Sequence, residues 1–188
     1  RLRIALGTVI KVLKFMDFKK YYIPLGLLYI AGELQKKGHD VWVYDADYNP
    51  KGKSLEFLEK MEHYQLYIEG LTNCKHPVWQ ETQEVFENIK PDVVGISLIS
   101  TKFPSGMKIA DVYKRMGAKR IICGGVHATL HSDEVLCNSD VDSVVIGEGE
   151  YSFEKFTTAN FSQGPVSTVD LDEIIKKNYL RKIVIDNR

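Results

Sequence analysis

Two glycine-rich turns stand out among the residues able to do chemistry: Gly124-Gly125-Val126-His127-Ala128-Thr129 and Gly147-Glu148-Gly149-Glu150. Each directly follows an apolar run that reads as a strand, residues 120–123 and 141–146. Glycine has no Cβ, so such turns let a ligand approach bare main chain. Ser97 and Ser100, at the end of a third apolar run, add hydroxyls that can serve a buried heterocycle as donor or acceptor, or else cap a turn or a helix. Glu148 and Glu150 offer carboxylates suited to a helix N-terminal dipole. This is the chemistry of recognition, not of bond-making. Cys74, Cys123 and Cys137 are widely spaced, form no CxxC or Cys/His metal pattern, and read as reduced thiols. His63, His76 and His131 belong to no constellation and read as surface residues.

The elements that must position these turns alternate along the chain. Residues 2–9 form an apolar strand, and 10–23 a basic, aromatic-rich loop. Pro24 then opens a helix whose Leu27, Ile30, Ala31 and Leu34 share one face, with Gly38 at its C-terminal cap. Residues 41–45 are the second strand. Leu55, Leu58 and Met61 suggest a helical piece; Val78, Thr82, Val85 and Ile89 suggest another, stopped by Pro91. Residues 92–99 are a continuous apolar strand of the kind buried on both faces of a parallel sheet. Ile109, Val112, Tyr113 and Met116 mark a helix ended by Gly117; the two strands bearing the glycine turns follow, and a final helix covers 151–158. Beyond it, 160–168 resembles a linker, 171–175 a helical turn and 183–185 a lone strand. Strands alternating with amphipathic helices predict an α/β, Rossmann-like doubly wound sheet. Five parallel strands in flavodoxin-like order 2-1-3-4-5 place the ligand at the carboxyl edge. The site then draws on Thr8 and Val9 after strand one, and on the loops after Ile99, Gly125 and Gly147.

Size and composition narrow the partners. A chain of 188 residues with 44% hydrophobic and 27% charged residues can bury a full core without disulfides. Net charge is zero, with both signs interspersed, which speaks against nucleic acid. No apolar run approaches the roughly 20 residues of a membrane span, and no signal peptide is visible, so a cytoplasmic location is expected. The chain begins at Arg1 without a methionine, which suggests that sequence precedes it. Familiar tenants of the fold are absent. Gly7 is followed by Thr8, Val9 and Ile10, so the GxGxxG dinucleotide turn is missing, and no GxxxxGK[ST] loop occurs. Asp45 alone is weak support for a ribose site. The third strand ends Gly95-Ile96-Ser97-Leu98-Ile99-Ser100-Thr101, without the acid of a phosphate-accepting receiver.

Five segments in order resemble a known family. Pro24-Leu25-Gly26-Leu27-Leu28-Tyr29-Ile30-Ala31-Gly32 with Gly38-His39-Asp40-Val41 is similar to its PxGLxYIAxxL…GHxV pattern. Lys90-Pro91-Asp92-Val93-Val94-Gly95-Ile96-Ser97 and the two glycine turns are similar as well. Together they resemble the N-terminal cobalamin-binding domain of cobalamin-dependent radical S-adenosylmethionine enzymes. That family includes methyltransferases and the anaerobic oxidative cyclases of magnesium-protoporphyrin IX monomethyl ester. The resemblance runs from about Arg3 to Phe156. It implies a cobalamin whose nucleotide tail enters a crevice beside the sheet while the corrin lies across the carboxyl edge, facing a catalytic barrel. By motif, Ser97, Leu98 and Ser100 would line the tail pocket, and Gly124 and Gly125 would let the tail pass. A Cβ branch at Gly125 is expected to block the tail while leaving the fold intact. Gly147, Glu148 and Gly149 would form the neighbouring wall, with Glu148 accepting from a ribose hydroxyl or a corrin amide. His127 lies in the motif as a packed, hydrogen-bonded loop residue, not a metal ligand.

Two departures shape the expected function. The nearest frame to the cobalt-ligating DxHxxG is Asp17-Phe18-Lys19-Lys20-Tyr21-Tyr22, with lysine where histidine would be, so no protein histidine below the cobalt is expected. The catalytic barrel's CxxxCxxC is also missing. The resemblance therefore implies a cofactor domain at 1–158 and a linker at 159–188 leading toward a catalytic radical domain elsewhere in the parent chain. The iron–sulfur cluster and S-adenosylmethionine would belong to that domain. A degenerate fold serving as a docking module is the alternative, with Trp42, Tyr44, Tyr64, Tyr67 and Trp79 available to an interface or to the core. A stand-alone enzyme on a small nucleotide fits least, for want of a phosphate loop.

Overall fold

The computed structural model describes residues 1–8, 24–46, 64–150, 152–153 and 183–186. Strands form where the apolar runs predict them: β1 (Arg3–Thr8), β2 (Asp40–Tyr44), β3 (Val93–Ser97), β4 (Arg120–Gly124) and β5 (Ser143–Ile146). They pair in parallel in the order β2-β1-β3-β4-β5, the flavodoxin-like doubly wound arrangement. The stretch expected as a lone strand is instead β6 (Ile183–Asp186), parallel to β5 at the sheet edge. The reason is physical: an edge strand presents a row of unmatched backbone donors and acceptors, and β6 matches those of β5.

The helices are α1 (Leu25–Lys36), α2 (Tyr64–Thr72), α3 (Pro77–Ile89), α4 (Phe103–Arg115), α5 (Val126–Leu130) and α6 (Ser132–Leu136). Pro77 and the His76 side chain, which accepts from the Val78 N–H, start α3; it stops before Pro91 as predicted. Residues 149–150 and 152–153 are helical, so the last helix begins earlier than expected; most of its predicted length lies outside the described residues. So does the piece around Leu55, Leu58 and Met61. Helix α2 was not predicted. It is held by buried Tyr67 and by Trp79, whose indole N–H donates to the Gly70 carbonyl at 2.8 Å.

The strand period of two sorts the core into two layers. Ile4, Leu6, Val93, Ile122 and Val145 face α1 and Phe153. Val94, Ile96, Ile121, Cys123 and Val144 face α3, α4 and the short helices α5 and α6. Among the aromatics open to an interface, Trp79 and Tyr67 are buried, Tyr44 donates its hydroxyl to Glu81, and Trp42 lies under the Arg3 guanidinium. The Tyr64 side chain lies outside the described residues.

At the amino edge, two aspartates act alike. Asp92, just before β3, accepts the Arg3 N–H of β1 at 3.0 Å and the Lys119 ammonium at 2.6 Å. Asp142, just before β5, accepts the Ile121 N–H of β4 at 2.8 Å and Lys114 at 2.7 Å. Each carboxylate thus satisfies an N–H that the parallel ladder leaves over at the start of a neighbouring strand. Burial raises the Asp92 carboxyl pKa, but the hydrogen bonds from Lys119 and Arg3, with their charges, outweigh it and leave it below the ordinary value. A lowered folded-state pKa stabilises above the unfolded value, about 3.9, and that stabilisation is lost as pH falls through the folded value. Asp92→Asn is therefore expected to cost about 1–3 kcal/mol at neutral pH, with a deficit that shrinks below about pH 4 in urea-melt series.

Candidate functional site

A cavity of about 260 Å³ opens between the carboxyl half of the sheet and the N-terminal end of α1. Its wall is two rungs of the sheet. Thr8, Ser97 and Gly124 pair across β1, β3 and β4, and Leu6, Gly95 and Ile122 pair one step deeper on the same face. Val145 continues the outer rung on β5, and Pro24, Leu25, Leu27 and Ile30 of the α1 end face it across the gap. The turn Gly147-Glu148-Gly149-Glu150 closes one side. A Cβ on Gly95 would stand 2.7 Å from Leu6 Cδ2 and 2.9 Å from Phe153 Cε2, so the bare backbone there is what lets Phe153 lie on the sheet and form the floor. A Cβ on Gly124 would meet nothing closer than Val145 Cβ at 3.7 Å, an ordinary contact, so the position has room for a side chain.

Seven residues singled out from sequence come together on this lining: Thr8, Ser97, Gly124, Gly125, Gly147, Glu148 and Gly149. Leu98, Ser100 and His127 do not. Leu98 is one residue past Ser97, so its side chain points to the other face and is fully buried there. Ser100 starts a single 3-10 turn, and its Oγ lies 3.1 Å from His127 Nδ1. His127 is buried against the Phe103 ring, centroids 4.5 Å apart, with Nε2 3.6 Å from Glu134 Oε2. It is packed and hydrogen-bonded, but in the first turn of helix α5, where the sequence suggested a loop. Val9 lies outside the described residues. Asp45 has a structural partner: Thr8 Oγ1 donates to it at 2.6 Å and accepts the Ala46 N–H at 3.0 Å.

The role expected of Gly125 needs correcting. Its φ is +93°, and a Cβ there would sit 2.7 Å from the Leu98 carbonyl oxygen and 3.1 Å from the Leu98 nitrogen. What it clears is the chain's own β3–α4 connection, so a branched residue would strain the fold itself. That connection is tied down on both sides: the Leu98 N–H donates to the Gly124 carbonyl at 2.8 Å, and the Leu98 carbonyl accepts the His127 N–H at 3.1 Å. The second turn is anchored as well, because the Gly147 N–H donates to Thr129 Oγ1 at 3.1 Å. Leu6, Gly95, Ile122, Val145 and Phe153 escaped the sequence reading. Counting back two residues from Thr8, Ser97 and Gly124 finds the first three of them.

Residues 15–157 match the B12 binding domain family. The chain belongs to that family. The cytidylyl-2-hydroxyethylphosphonate methyltransferase of Streptomyces wedmorensis is 29% identical over 143 residues, 73% of this chain and 24% of that protein. The anaerobic magnesium-protoporphyrin IX monomethyl ester cyclase of Synechocystis is 27% identical over 157 residues, 81% of this chain and 26% of that protein. This chain thus spans about a quarter of these relatives' length. Its fold also matches the radical S-adenosylmethionine methyltransferase TsrM of Kitasatospora setae, with a TM-score of 0.58 at 16% identity over 88% of this chain and 27% of that one.

The geometry separates the two adjacent glycines. Gly125→Ala is expected to destabilise by about 2 kcal/mol or more, lowering the melting temperature by roughly 4–8 °C. Gly124→Ala is expected to shift it by less than about 2 °C in the same calorimetric scan, because its Cβ finds only ordinary contact distances.

Proposed function

We propose that this chain binds cobalamin, seats its nucleotide tail in the cavity between the sheet and α1, and positions it for a catalytic radical domain of a larger S-adenosylmethionine enzyme. The observation that carries the reading is the wall free of side chains at Gly124, opening a cavity framed by both glycine turns. A cavity of about 150 Å³ holds benzene, so 260 Å³ suits a fused bicyclic heterocycle and is far too small for a corrin. The lining is mostly apolar with few polar groups, the usual character of a cofactor socket. Just past the strand ends, Ile99 and Val126 are exposed, as is Leu130 one turn further along α5. Apolar side chains at that edge suit a large flat group laid across it.

Bound cobalamin supplies methyl donation or assists radical chemistry; the protein's part is position and electrostatics. Residues 1–158 would be the cofactor unit. Residues 159–188 would connect it to the catalytic domain, with β6 docked on β5 along the way. The iron–sulfur cluster and S-adenosylmethionine would sit in that domain. The relatives' names, a methyltransferase and a cyclase, support both chemistries for the parent enzyme. Among the described residues no helix is long and apolar enough to cross a membrane.

The test is direct. The purified chain, mixed with hydroxocobalamin and desalted, is expected to keep corrinoid absorbance in the visible spectrum. Gly124→Val places a branched side chain in the open part of the cavity, at a strand position that tolerates one. It is expected to cut retention by more than about tenfold with little loss of melting temperature. A colourless wild-type protein would favour the docking-module reading instead.

A further inference from the structure

We propose that His127 is a positioning residue: through Ser100 and Glu134 its ring ties the β3–α4 connection to α5 and α6, and so fixes Ile99, Val126 and Leu130 as one apolar seat for the cofactor's corrin. This rests on the cobalamin reading above. The three exposed side chains belong to two separate stretches of backbone, Ile99 to the connection after β3 and the other two to α5. His127 is bonded beside each of them. Its N–H donates to the Leu98 carbonyl at 3.1 Å, and its Nδ1 lies 3.1 Å from Ser100 Oγ, so Ile99 is held from both sides. Val126 immediately precedes it, and the His127 carbonyl accepts the His131 N–H at 2.8 Å, just past Leu130. The residue is 5% exposed and its ring lies against Phe103, so close packing holds the ring in one orientation.

The far end of the ring shows where the tie continues. His127 Nε2 is buried and makes no hydrogen bond to a described residue. Buried polar atoms are rarely left so. Glu134 Oε2 stands 3.6 Å away, a few tenths of an ångström beyond hydrogen-bond range, on a half-exposed side chain that a small rotation brings in. A carboxylate only accepts, so that bond puts the proton on Nε2 and leaves Nδ1 to accept from the Ser100 hydroxyl. One tautomer of the neutral ring then serves both partners. Ser100 and Glu134 are themselves exposed, so water satisfies either of them when the ring nitrogens are removed. What is lost with the nitrogens is the tie, not the burial.

Two variants of the full chain separate positioning from folding. His127→Phe keeps a ring against Phe103 and removes both nitrogens, so the melting temperature is expected to move by less than about 4 °C. Affinity for hydroxocobalamin, by equilibrium dialysis read in the visible, is expected to fall about fivefold. His127→Asn does the reverse. Its amide reaches the Nδ1 position and serves Ser100 but leaves a gap beside Phe103, so it is expected to melt lower than His127→Phe and to bind more tightly. The corrinoid that lacks the nucleotide tail is expected to lose the same factor as cobalamin in His127→Phe, because the seat meets only the corrin. Weaker binding by His127→Asn than by His127→Phe would show affinity following stability, reduce His127 to a structural role and overturn the proposal. So would an unchanged cobalamin affinity in His127→Phe, a loss confined to the tailed cofactor, or a wild type that binds cobalamin but has no affinity for the tailless corrinoid. Failure of the wild type to bind cobalamin would overturn the cofactor reading, and the seat with it.

Discussion

Helix α1 lies on a parallel sheet whose facing side chains are nearly all Val, Ile and Leu, and on two adjacent strands that carpet is interrupted by glycine. The two interruptions do different things. At Gly95 the missing side chain is replaced at once by Phe153 and Leu6, which close the floor. At Gly124, on the next strand and one step nearer the carboxyl edge, a Cβ would meet only Val145 at ordinary contact distance, and the position lines the cavity. Close packing is the default for protein interiors, and voids larger than a water are few. A gap of this size, bounded by rigid ladder and by α1, is therefore a feature the architecture maintains. The opposite face of the same strands has no such break, since Ile96 and Cys123 fill it. One sheet thus carries a dense layer for stability and a notched layer for a guest.

The two edges of the sheet divide labour in a similar way. At the amino edge, spare strand N–H groups are taken up by Asp92 and Asp142, each also paired with a lysine. At the carboxyl edge, Leu98 is bonded on both sides and Gly147 is fastened to Thr129, while the Ser97 hydroxyl makes no hydrogen bond to another described residue. Several of the rim's backbone polar groups are thus bonded within the chain. Such a rim recognises a ligand mainly by shape and by a small number of hydrogen bonds, the usual balance in cofactor sockets.

Much of this was legible in the sequence because the signals are local. A continuous run such as Val93-Val94-Gly95-Ile96 reads as a strand buried on both faces, and α3 announces itself by its stripe and by Pro91. Helix α2 escaped because Tyr64–Thr72 lacks a clean stripe; it is secured by Trp79, a contact that no local window contains. The pairing of β6 with β5 spans some forty residues and has no local mark. The same holds within the site. Both glycine turns were visible as motifs, but the floor consists of ordinary strand residues whose facing follows only once the register is known. Gly125 was read as space for a ligand because its actual neighbour, the Leu98 carbonyl, belongs to another strand's loop.

The size of the cavity constrains how the chain would use its cofactor. A socket that takes only a bicyclic end of a much larger molecule holds that molecule by one point. The rest must find other surface, and the nearest is the exposed apolar rim at Ile99, Val126 and Leu130. Exposed apolar contact of this kind gains little until its far side is also removed from water. On the cobalamin reading, the domain would therefore anchor the tail firmly and the corrin loosely. Full burial would come from the remaining three quarters of proteins built like the two relatives. That arrangement keeps the cofactor in place through its unreactive end and leaves the reactive face free to meet a second domain.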